Sequence, residues 1–142
     1  DAQPHFVVET VKHALGSLSG KRIAALGLAY KPDVDDLRES PANEVVHILQ
    51  KEGAEVLAWE PFKPDANLKG ITMSLALENA IKDADAIVVL VKHTEFTKLD
   101  PSVIAQQTKA RTLIDTVNCW ESEAWKAHGF TVYRIGDGKT KS

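Results

Sequence analysis

Short apolar runs alternate along this chain with apolar positions at helical spacing. Val7, Val8, Val11, Ala14 and Leu15 share one helical face, so Pro4 to Gly16 reads as an amphipathic helix. Pro4 suits a first helical turn, where its missing N–H goes unused, and Gly16 suits a stop. Arg22-Ile-Ala-Ala-Leu26 reads as a buried strand, and a loop runs from Gly27 to Glu39. Ser40 can cap the next helix, Pro41 opens it, and Val45, Val46, Ile48 and Leu49 give it an apolar face that ends at Gly53. The alternation then repeats. Glu55–Trp59 reads as a strand, Leu75–Lys82 as a helix, and Asp85–Val91 as the most apolar strand. Pro101–Gln107 reads as a short helix, Arg111–Asp115 as a strand, Glu121–His128 as a helix and Phe130–Arg134 as a final strand. The polar tail after Gly136 is expected to fray.

Strands alternating with helices imply βαβ units. The expected fold is one Rossmann-like, doubly wound α/β domain across residues 1–142, with a mostly parallel sheet and helices on both faces. In such sheets ligands sit beyond the carboxyl ends of the strands, near the point where strand order reverses. The Gly27–Glu39 loop leaves the first strand at that edge.

Composition narrows the function classes. The 142 residues are 44% hydrophobic and 26% charged, as in an ordinary globular domain. A net charge of −3 provides no bulk basic field to attract nucleic acid or anionic lipid. The apolar run Ala86–Val91 is too short to cross a bilayer. Asp1–Phe6 lacks the basic and apolar regions of a signal peptide. The single cysteine, Cys119, can form no internal disulfide, which fits a reducing cytoplasm. The chain opens on Asp1 rather than Met, as a trimmed or processed product does.

The dinucleotide fingerprint needs three glycines after the first strand. Gly27-Leu28-Ala29-Tyr30-Lys31-Pro32 keeps only the first, and Tyr30 and Pro32 would block a tightly held pyrophosphate. One reading is therefore a Rossmann-like domain that binds no nucleotide. The other rests on charge. Lys31, Asp33, Asp35, Asp36, Arg38 and Glu39 fall within nine residues. A solvated loop with ion pairs worth about 0–1 kcal/mol each accounts for the acids. It accounts less well for Lys31 and Arg38 bracketing them at the ligand edge, where the acids can orient both cations toward an anion.

The remaining candidates have plain structural readings beside functional ones. His5, His13, His47, His93 and His128 show no metal-pair spacing, so no zinc site is expected. His93 can touch a ligand or hold local backbone through its ring nitrogens. Glu60 ends the second strand, where a dinucleotide domain holds a ribose hydroxyl, yet Pro61 follows it and a structural role is equally open. Trp59, Trp120 and Trp125 read as core or interface, and Cys119 as a buried structural thiol.

Gly27-Leu-Ala-Tyr-Lys-Pro-Asp-Val-Asp-Asp-Leu-Arg-Glu-Ser-Pro-Ala42 resembles, ungapped, the signature loop in the C-terminal domain of the UDP-glucose/GDP-mannose dehydrogenase family. Gly53-Ala-Glu-Val-Leu-Ala-Trp-Glu-Pro61 is similar to that family's second strand and acidic-Pro ending. Asp83-Ala-Asp-Ala-Ile-Val-Val-Leu-Val91, with His93 and Phe96, is similar to its next strand and short helix. Asp115-Thr-Val-Asn118 lies where many members carry an Asp-x-Arg or Asp-x-Lys turn, and Val117 departs from that basic residue. Glu60-Pro61, His93 and Phe96 look closest to the members that oxidise UDP-N-acetyl-D-mannosamine.

The resemblance implies the nucleotide-sugar-binding part of an NAD-dependent UDP-sugar 6-dehydrogenase, inactive alone. Tyr30 and Lys31 would contact the UDP-sugar, and Arg38 would reach NAD held by the N-terminal domain. The family's nucleophilic cysteine and NAD fingerprint belong to its N-terminal and central regions. Those regions would be partners of this chain within a homo-oligomer, without nucleic acid or membrane. A stand-alone nucleotide-binding or regulatory module and an oligomerisation module are the competing readings.

Overall fold

The computed structural model describes residues 3–136 and 139–141. Its strands are β1 (Arg22–Leu26), β2 (Glu55–Trp59), β3 (Thr72–Met73), β4 (Ala86–Val89), β5 (Thr112–Asp115), β6 (Thr131–Gly136) and β7 (Lys139–Lys141). They form one sheet in the order β3-β2-β1-β4-β5-β6-β7. All neighbours are parallel except β7, which pairs antiparallel with β6. The helices are α1 (Pro4–Leu15), α2 (Pro41–Lys51), α3 (Leu77–Ile81), α4 (Thr94–Thr97), α5 (Pro101–Gln107) and α6 (Ser122–Lys126).

The two-residue period of the strands divides the core into two layers. Ile23 and Ala25 of β1, Val56 and Ala58 of β2, and Ala86 and Val88 of β4 face α1 and α2. Ala24, Leu26, Ile87 and Val89 face the opposite layer, with Ala80 and Ile81 of α3, Ile104 of α5 and Trp125 of α6. The doubly wound, mostly parallel α/β fold expected from the sequence is the one observed. β1 and β4 are hydrogen-bonded neighbours although β2 and β3 lie between them in the chain, so strand order reverses at that seam.

Several boundaries differ from the sequence expectation, each for a local reason. The helix expected from Leu75 begins at Leu77, because the Ser74 hydroxyl accepts from the Ala76 N–H and donates to the Ala76 carbonyl, holding a turn. The helix expected over Glu121–His128 is confined to Ser122–Lys126, since Glu121 caps it by accepting from the Glu123 and Ala124 N–H groups. The tail expected to fray instead provides β7 over Lys139–Lys141; Asp137, Gly138 and Ser142 lie outside the described residues. The edge strand β3 carries only two residues, too few for periodicity to register. Among the described residues, no helix is long and apolar enough to cross a membrane.

Candidate functional site

Four neighbouring strands end at the carboxyl edge, and each leads into a polar feature. β1 leads into Gly27, β2 into Glu60, β4 into the Leu90–His93 segment, and β5 ends on Asp115. Gly27 has φ +92 and donates its N–H to the Trp59 carbonyl at 2.9 Å. A Cβ there would stand 2.8 Å from Val91 Cβ and 3.2 Å from the Phe96 ring. The one glycine kept from the fingerprint thus serves a close approach of protein to protein.

Glu60 is the centre of the edge and is 0% exposed. Its Oε1 accepts from the Leu28 N–H at 2.8 Å and the Ala29 N–H at 3.0 Å. Its Oε2 accepts from the Phe62 N–H at 3.0 Å. His93, also 0% exposed, places Nε2 3.0 Å from each carboxylate oxygen. On the other side of the ring, the Asp33 N–H donates to His93 Nδ1 at 2.8 Å. Nδ1 is therefore the acceptor and Nε2 carries the proton, the neutral tautomer. That assignment makes the 3.8 Å separation between Nδ1 and Asp33 Oδ1 a neighbouring contact and not an ion pair. Burial pushes the Glu60 carboxyl up, but hydrogen bonds from His93, Phe62 and Leu28 outweigh it and hold the group below its ordinary value.

The loop is tied down on both sides of its charges. Asp33 has φ +60, and its carboxylate accepts from the Thr94 hydroxyl at 2.6 Å and the Thr94 N–H at 2.8 Å. Those two bonds hold the Asp33 carboxyl below its ordinary range. The Asp36 carbonyl accepts from the Tyr30 N–H at 2.8 Å. Leu28, Ala29 and Leu37 are buried anchors. Ser40 donates its hydroxyl to the Ala29 carbonyl and accepts from the Ala42 N–H, closing the start of α2.

The three sequence-predicted site residues share this loop but differ in state. The Tyr30 and Lys31 side chains are exposed at the carboxyl edge. Arg38 is 88% exposed and doubly bonded to Asp36, with Nε at 3.1 Å from Oδ1 and Nη2 at 3.3 Å from Oδ2. This pairing holds the Asp36 carboxyl below and the Arg38 guanidinium above their ordinary values. The expectation that the acids orient both cations holds for Arg38 alone. Asp33 is occupied by Thr94 and Asp36 by Arg38; among the described residues Lys31 forms no ion pair.

Two other sequence readings resolve structurally. Glu60 has no capacity left for a ribose hydroxyl, and Ser40 fills the start of α2, so the usual dinucleotide grip is not built on this chain. Asp115, 0% exposed, accepts from the backbone N–H groups of Val117, Cys119 and Trp120 and fixes the turn beyond β5. Cys119 is buried there. Burial first, and the Asp115 charge second, push its thiol up to about 12, so it stays protonated and inert at neutral pH. Trp120 and Trp125 are core: their rings lie 4.5 Å apart, and the Trp120 indole N–H donates to the Phe96 carbonyl. A cavity of about 180 Å³ lies at the opposite, amino-terminal edge, lined by Arg22, Glu55, Thr72 and Asp83. The switch-point edge remains the better candidate, because the braced loop and its unpaired cation lie there.

A sequence model of the UDP-glucose/GDP-mannose dehydrogenase family, UDP binding domain, matches residues 24–122, which contain the whole carboxyl-edge loop. The chain belongs to this family. It is 41% identical over 142 residues to a UDP-N-acetyl-D-mannosamine dehydrogenase of Methanocaldococcus jannaschii, an alignment covering 98% of this chain and 32% of that protein. It is 34% identical over 131 residues to a UDP-glucose 6-dehydrogenase of Rhizobium meliloti, covering 90% of this chain and 30% of that protein. The solved structure of a UDP-D-ManNAc dehydrogenase from Pyrococcus horikoshii superposes with a TM-score of 0.80 at 31% identity, covering 95% of this chain and 31% of that one. As a UDP-binding domain of the family, this chain spans about a third of the length of these relatives. The resemblance first read from Gly27–Ala42 is borne out across the domain.

Proposed function

We propose that this chain is the nucleotide-sugar-binding part of an NAD-dependent UDP-sugar 6-dehydrogenase, and that UDP-N-acetyl-D-mannosamine is the sugar nucleotide it serves. One observation carries the reading: Lys31 projects, free of any acid among the described residues, from a tightly braced loop at the switch-point edge. An exposed ammonium there meets a diphosphate or sugar oxygen as a compact point charge, with Tyr30 beside it. The choice of sugar follows the relatives named for that substrate. NAD would be held by an N-terminal domain of the same enzyme, with the central region and further copies of the subunit completing the assembly. Arg38, exposed and oriented by Asp36, would extend its fork toward that NAD.

The reading requires that the 142-residue chain alone form no NADH with any UDP-sugar. Oxidation of the alcohol needs the NAD that this reading assigns to the N-terminal domain, and oxidation of the aldehyde intermediate needs in addition a thiolate nucleophile to form a thiohemiacetal. Cys119, with its thiol pushed up to about 12, supplies none. Spectrophotometric assay of the purified chain should give a flat trace. Turnover that disappears in Cys119→Ala would overturn both the proposal and the inert reading of the thiol.

Arg38 gives a second test, in the intact enzyme. Arg38→Ala should raise the KM for NAD more than that for UDP-sugar. Arg38→Lys should recover little, because an ammonium lacks the forked donors that grip Asp36 and an incoming oxygen together. Full activity in Arg38→Lys would reduce the role to a bare charge.

A further inference from the structure

We propose that Glu60 and His93 are positioning residues that set the place of Lys31 in the sugar-nucleotide site, an inference that rests on the reading of Lys31 as a ligand contact. Lys31 has no side-chain partner among the described residues, so its backbone flanks decide where it points. Each flank bonds to one buried pair, and the Tyr30 N–H adds a bond to the Asp36 carbonyl. Before Lys31, the Leu28 and Ala29 N–H groups donate to Glu60 Oε1. After it, the Asp33 N–H donates to His93 Nδ1, and Pro32 restricts the residue between.

The two grips depend on each other through the imidazole. The Glu60 carboxylate accepts a hydrogen bond from Nε2–H, which keeps the proton on Nε2 and leaves Nδ1 as the acceptor that Asp33 requires. Glu60 follows β2 and His93 follows β4, while the loop follows β1, so the pair locks three strand ends into one frame. Arg38 is outside this frame and is held by Asp36 instead. The pair therefore bears on Lys31 directly, and on Arg38 only through Asp36, whose carbonyl accepts from the Tyr30 N–H.

A double-mutant cycle in the intact dehydrogenase tests this, with UDP as the probe in calorimetric titration. His93→Gln keeps a donor that can reach Glu60 but removes the Nδ1 acceptor; His93→Asn keeps an acceptor near the Nδ1 position. His93→Gln should weaken UDP binding on the order of tenfold, as loss of a hydrogen bond behind a ligand-holding group does. His93→Asn should recover part of that loss, and the KM for NAD should stay unchanged in both. In a Lys31→Ala background, His93→Gln should weaken UDP no further, because the residues act through one another. An equal loss with and without Lys31 would make His93 a general structural residue and overturn the proposal. If Lys31→Ala alone leaves UDP affinity intact, the ligand reading of Lys31 fails and takes this inference with it. Should His93→Gln not fold, Glu60→Gln enters the same cycle, with the same two outcomes deciding.

Discussion

Glu60→Ala is expected to destabilise the domain by about 3–5 kcal/mol, the range for removing one partner of a buried charged network. The side chain is 0% exposed, and water cannot replace it without a cavity opening. Four donors lose their acceptor at once: the N–H groups of Leu28, Ala29 and Phe62, and Nε2 of His93. Each orphaned buried donor costs roughly 1–3 kcal/mol, and relaxation of the edge brings the sum back into the quoted range. The hydrogen bonds also give Glu60 a pH signature. Its folded pKa lies below the ordinary value of 4.5, so its contribution is complete above that value and is lost as pH falls through the folded pKa. Urea denaturation of parent and variant should show the full difference at pH 7 and a narrowing gap in acid. A difference below about 1 kcal/mol at pH 7 would mean that solvent already satisfies these donors.

Gly27→Ala is expected to cost roughly 2–5 kcal/mol, the sum of left-handed backbone strain and overpacking. The new Cβ would meet Val91 Cβ at 2.8 Å and the Val91 backbone N at 3.1 Å. A flexible side chain could swing away, but a backbone nitrogen two residues past the end of β4 cannot. Phe96, whose ring stands 3.2 Å away, is 0% exposed and equally confined. Relief can come only by parting β1 from β4, which opens the edge that carries the loop. Gly16→Ala is the internal control. Gly16 also has positive φ, at +84 with ψ −65, but nothing lies within 4 Å of its added Cβ, so only backbone strain, about 1–3 kcal/mol, is expected. Equal melting temperatures for the two variants would refute the packing part of the argument.

The sheet was legible in the sequence because its strands are buried on both faces. Ile23–Leu26 and Ala86–Val89 read as unbroken apolar runs, and the helix starts at Pro41 and Pro101 carry their own capping residues, Ser40 and Asp100. The edge strands were less legible, since Thr72–Met73 and Lys139–Lys141 are short and patterned by pairing alone. At the site, the charged loop stood out as a cluster, and the family resemblance picked out Tyr30, Lys31 and Arg38. The clamp behind it did not stand out. Glu60 joins residues 32 positions earlier and His93 joins Asp33 across 60, and no local pattern encodes contacts at that range. The acid-Pro pair at Glu60-Pro61 and the reading of His93 as a residue that can hold backbone through its ring nitrogens were the signals, and the first was equally compatible with a ribose contact until the carboxylate was seen to be filled.

The state of Lys31 divides the possible accounts of this loop most sharply. A lysine stapled to Asp33, Asp35 or Asp36 would serve stability, whereas one left unpaired on a rigid frame is available to a ligand. The deciding measurement is the affinity of the intact enzyme for its UDP-sugar, parent against Lys31→Ala, with melting temperatures recorded on the same samples. The expected result is a loss of roughly 1.5–3 kcal/mol in binding, the value of a hydrogen bond to a charged group, with the melting temperature almost unmoved. Unchanged affinity together with a lowered melting temperature would contradict the account and make Lys31 a staple of the loop.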